Sequence, residues 1–141
     1  MNKTMFLTAL FAAIFTTISL KFLHFFNFIH WSPIGWLKFW TGKGWMNEYG
    51  KWALLFLVLF VVCFVFYAIS KWTTAIPPMV TAIAISLIIT AAVDWTIGMP
   101  HTLKEGIKAF SIPFFSINAI VSLFIIGTAV YMKKLSADQQ K

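Results

Sequence analysis

Lys21 and Asp94 are the charges that the sequence embeds in apolar surroundings, and each closes a stripe of small and hydroxyl residues. Ala9, Ala13, Thr17 and Lys21 recur every fourth residue, and so do Ala82, Ser86, Thr90 and Asp94. That period keeps side chains on one face of a helix. Such faces let membrane helices approach closely and hydrogen-bond. Each charge lies sixteen residues beyond the apparent start of its apolar run, at Met5 and at Pro78. At ~1.5 Å per residue this is ~24 Å, near the far boundary of a ~30 Å hydrocarbon core. The matched depth predicts an ion pair between Lys21 and Asp94 on parallel, adjacent helices. Ionisable residues inside a span are often functional, while near a helix end a lysine can snorkel to the interface. The pair is therefore expected to be structural, and the sharper alternative is a polar path through the membrane. Asn118 and Ser122 form a further polar pair four residues apart, which most simply bonds across a bundle.

Other chemistry finds little support. His24, His30 and His101, with Glu48 and Glu105, lack metal-ligand spacing and contain no HExxH pattern. Cys63 is the single cysteine and sits within an apolar run, so no internal disulfide or cysteine cluster can form. Phosphate loop, nucleophile elbow and Cys/His couple are all missing from the sequence. Neither a metal, a cofactor nor an enzymatic activity is expected.

The elements that must position these residues follow from composition. The 141 residues are 60% hydrophobic and 11% charged, with a mean hydropathy of +0.85. A water-soluble domain of this size would expose too much apolar surface to stay dispersed. The expectation is an all-α, integral-membrane four-helix bundle, a single domain over 1–141, with spans at about 5–26, 52–70, 77–97 and 111–132 and a disordered basic tail at 133–141. Continuation of the first apolar run through Phe26, with no small-residue cleavage site, favours a retained helix over a signal peptide. The net charge of +7 arises from lysine alone. Lysines at the ends of apolar runs fit lipid headgroups and topology signals, and without arginine the bidentate recognition of bases and phosphates is lost. No nucleic-acid partner is expected.

Between the first two spans lies FFNFIHWSPIGWLKFWTGKGWMNEYGKW, from Phe25 to Trp52, which holds Trp31, Trp36, Trp40, Trp45 and Trp52. With Trp72 and Trp95, these indoles suit the membrane–water interface as anchors. A short interfacial helix over Ile34 to Trp40 is expected there. Four spans put both termini on one side. Lys3, Lys71, Lys133, Lys134 and Lys141 then face Lys38, Lys43, Lys51, Lys104 and Lys108 across the membrane, a tied count. The Lys133–Lys134 pair abutting the last span tips the orientation towards cytoplasmic termini.

The aromatic loop, with its FNF, its proline and its Gly-x-Gly-Trp turn, and the Ile76-Pro77-Pro78 entry to the third span together resemble the small bacterial family of conserved membrane protein YqhR. The resemblance implies a multi-pass protein of the bacterial plasma membrane and brings no assigned activity or functional residues. The small multidrug exporters are a poorer match, because their coupling acid lies in the first helix and this first span has none. The expected role is structural or accessory, with the lipid bilayer and a membrane-protein partner or second copy as contacts. The alternative is a small transporter or channel subunit using Lys21 and Asp94. Spans one, three and four are expected to form the packed core, with the bulky second span peripheral.

Overall fold

The computed structural model describes residues 3–29, 32–35, 47–98 and 101–141, and every regular element among them is helical. Four helices are long and apolar enough to cross a membrane. They are α1 (Lys3–Phe25), α2 (Glu48–Ser70), α3 (Pro78–Gly98) and α5 (Ile112–Asp138), and a short α4 (Leu103–Ala109) joins the last two. The all-helical membrane architecture expected from hydropathy is the one observed.

The helix ends follow local chemistry. α1 stops because Asn27 adopts a left-handed conformation, with φ of 57°. The Phe28 N–H then donates to the Leu23 carbonyl at 2.9 Å and the Asn27 N–H to the His24 carbonyl at 3.3 Å, which closes a Schellman motif. α3 opens on Pro78, where the missing N–H costs nothing. Ser111 caps α5, its hydroxyl accepting from the Phe114 N–H. Inside the helices, Thr16, Thr17, Ser70 and Ser86 turn their hydroxyls back to the carbonyls four residues earlier. Side-chain donors are thereby satisfied without water.

α5 is 27 residues long, or ~40 Å, and outruns a ~30 Å hydrocarbon core. Its excess accounts for one correction. The tail expected to be disordered from 133 is helical to Asp138, because Lys133, Lys134, Leu135 and Ala137 are good helix formers with no breaker among them. The Lys133 ammonium donates to the Lys71 carbonyl at 2.8 Å, placing a cation at the C-terminal end of α2.

The core is also arranged differently from expectation. α1, α2 and α5 pack mutually, whereas α3 comes within helix-packing distance of α5 alone among the long helices. Ala9 and Ala12 of α1 leave a groove into which Cys63 and Tyr67 of α2 and Ile125 and Ala129 of α5 fit. A second cluster, nearer the loops, joins Leu20, Leu23, Ile29, Leu55 and Phe114. Among the described helices α5 is central, packing against all three other long ones, and α2 joins the core because its bulky Tyr67 fits against the small residues of α1. α3 is the flanking helix.

Candidate functional site

Asp94 occupies the junction where the ends of three segments meet. Its residue is only 5% exposed, and its carboxylate accepts the Ser111 N–H at 2.9 Å. Ser111 in turn donates its hydroxyl to the Phe28 carbonyl at 3.3 Å. The acid of α3, the first turn of α5 and the chain leaving α1 are tied together by one serine. A carboxylate beside the N-terminus of α5 also meets the positive end of that helix dipole, and a charge-assisted hydrogen bond adds to it.

The expected Lys21–Asp94 ion pair is not formed. Lys21 is exposed on α1, and its ammonium lies 5.9 Å from the centroid of the Trp52 ring on α2, a cation–π geometry. The cause is twofold. α5 packs against both α1 and α3, which do not pack on each other. The inward face of α1 also runs through Thr8, Ala9, Ala12, Ala13, Thr16, Leu20 and Leu23, so the stripe is buried at Ala9 and Ala13, half-buried at Thr17 and exposed at Lys21.

The stripe on α3 is placed as its spacing implies. Ala82, Ser86, Thr90 and Asp94 are all buried and face α5 rather than α1. Halfway along, the Asn118 amide donates to the Thr90 hydroxyl at 3.2 Å, and Ser122 is buried one turn further on. Asn118 and Ser122 therefore belong to the α3–α5 seam. Ser86 donates to the Ala82 carbonyl at 2.5 Å.

Of the interfacial anchors, Trp72 is almost fully exposed and Trp95 about half, while Trp52 packs against the loop-side cluster. Trp31, Trp36, Trp40 and Trp45 lie outside the described residues, as does nearly all of the interfacial helix expected over 34–40. The part of that loop that is described folds inward: Ile29 and Pro33 are buried, and Ile34 packs on the same cluster. The short helix α4 exposes Leu103 and Ile107 one turn apart. Thr102 caps it by accepting the Glu105 N–H, and the Glu105 carboxylate accepts the His101 N–H. The Thr102-Leu103-Lys104-Glu105 pattern is a capping-box signature that a sequence reading can find. Among the described residues no three His, Cys, Asp or Glu side chains are grouped closely enough to hold a metal ion.

Because α3 leans on α5 alone, a cleft of about 470 Å³ opens between it and the α1–α2 pair. Leu20, Leu55, Leu59, Val93 and Phe114 supply its apolar walls, Thr16, Thr96 and Asn118 add hydroxyl and amide groups, and Pro33 lines it from the loop.

Comparison of the chain with protein-family models, with curated proteins and with solved structures finds no match.

Proposed function

We propose that this is a small multi-pass protein of the bacterial plasma membrane, of the YqhR type, with a structural or accessory role, cytoplasmic termini and no enzymatic activity. One observation carries the reading: the Thr90–Asn118 hydrogen bond closes the polar seam at mid-helix, with Thr90 fully buried. A carrier of ions or polar solutes needs hydrated, unspent polar groups at that depth. Here Ser86 bonds to its own helix backbone and Thr90 to Asn118 across the seam. The lysines Lys71, Lys133 and Lys134 gather at the end that carries both termini, which supports the orientation. The exposed phenylalanines Phe22, Phe25, Phe26 and Phe28 at the loop end form a contiguous ring cluster, the surface offered to a membrane partner.

Flux across reconstituted liposomes tests the reading. Proton and monovalent-cation leakage should equal that of protein-free vesicles. Leakage above this baseline that disappears in Asp94→Asn would replace the accessory role with the transporter alternative.

A further inference from the structure

We propose that the cleft between α3 and the α1–α2 pair is a binding site for one acyl chain of a glycerophospholipid, whose phosphate is held at Lys21. The chemistry of the walls selects the occupant. The Thr16 hydroxyl donates to the Ala12 carbonyl at 2.7 Å, the Thr96 hydroxyl to the Ala92 carbonyl at 2.6 Å and the Asn118 amide to Thr90 at 3.2 Å. Both hydroxyl donors and one amide N–H on the walls are therefore already engaged, and what faces the cleft is chiefly aliphatic and aromatic surface. A polar solute would lose its hydration there without replacement hydrogen bonds. A hydrocarbon chain loses nothing and supplies the dispersion contacts that an empty gap lacks.

Size and depth agree with a lipid chain. The volume of about 470 Å³ falls in the range of roughly 300–1,000 Å³ typical of small-molecule sites. The α3 wall runs from Ile89 to Thr96, or ~10 Å at ~1.5 Å per residue, and Thr96 lies in the last turn before Gly98. The cleft thus reaches from the loop-side boundary towards mid-bilayer, the path of an acyl chain hanging from its headgroup.

Charge at the mouth fits the phosphate. Lys21 directly follows the wall residue Leu20, and its ammonium rests over Trp52, one helical turn before the wall residue Leu55. Glu48 is the acid on the same face of α2, and Asp94 is engaged by Ser111 on the α5 side of α3. A phosphate is drawn to such a lysine. The site concerns the bilayer alone and does not depend on a protein partner.

Native mass spectrometry of protein released from nanodiscs of mixed phosphatidylglycerol and phosphatidylethanolamine tests this. The wild type should retain one phospholipid under activation that strips the rest, and the retained mass identifies the headgroup. Ala92 is exposed at the cleft wall, so Ala92→Trp should fill the site with helix content unchanged by circular dichroism, and the retained lipid should disappear. Lys21→Ala should lower retention about fivefold, the weight of one lysine at a lipid surface. A mid-chain diazirine phospholipid on the wild-type protein gives a reading free of folding effects, with adducts expected on Leu59 and Val93 over the lipid-facing Leu57 and Val61. Retention unaffected by Ala92→Trp, no retained lipid in the wild type, adducts spread evenly along α2, or a dimer that Ala92→Trp disrupts without any bound lipid would each overturn the proposal.

Discussion

Asp94 and Lys21 show how little a shared depth says about a shared contact. Asp94 is held by the first turn of α5 and Lys21 by an indole of α2, so their energies should be independent. In detergent unfolding, Lys21→Ala and Asp94→Asn are expected to be additive within ~0.5 kcal/mol. By contrast, Thr90→Val and Asn118→Leu should be coupled, by the ~0.6 kcal/mol typical of hydrogen bonds between membrane helices. Coupling of the first pair and additivity of the second would reverse this assignment. The two stripes were unequally legible for a physical reason. On α3 only one small-residue face exists, and all four of its members are buried. On α1 the series Ala12–Thr16 runs beside Ala13–Thr17, one residue apart, which is ~100° around the helix. Ala12 and Ala13 are both buried, and the face then follows Thr16 and Leu20 rather than Thr17 and Lys21, a choice set by neighbours that the local sequence does not name.

The spans themselves were legible because hydrocarbon imposes an apolar run of fixed length. What escaped was the behaviour of the ends. The Phe25-Phe26-Asn27-Phe28 stretch reads as continued hydrophobicity, yet Asn27 in the left-handed region ends α1. Asn27→Gly should leave thermal stability near the wild-type value, since glycine adopts that conformation freely. Asn27→Val should cost about 1–2 kcal/mol, because a Cβ branch is disfavoured there. Equal stabilities for the two variants would mean that the turn does not depend on that conformation. The α4 helix is signalled only by its Thr-x-x-Glu cap, and the tail stays helical because lysine is a helix former as well as a solvated charge.

At the scale of the molecule, hydropathy marks four helices long and apolar enough to cross a membrane but not which ones touch. The adjacency is decided by complementary volume. The alanines of α1 accept Tyr67 and Cys63 of α2, and Ala82 of α3 accepts Ile126 and Val130 of α5. Ala82→Leu should therefore pry α3 from α5 and cost about 1–3 kcal/mol, the usual penalty for overpacking, with the α1–α2–α5 cluster retaining its protection in hydrogen exchange. Loss of protection throughout would show that α3 is integral to the core rather than a flank. The central claim is that the seam between α3 and α5 is closed to water, and cysteine accessibility tests it most directly. In a Cys63→Ser background, Thr90→Cys and Asn118→Cys in intact membranes should resist a membrane-impermeant maleimide from either side and react only after denaturation, while Lys134→Cys on the exposed end of α5 reacts at once. Labelling at Thr90 and Asn118 as fast as at Lys134 would contradict it and reveal an aqueous path through the bundle.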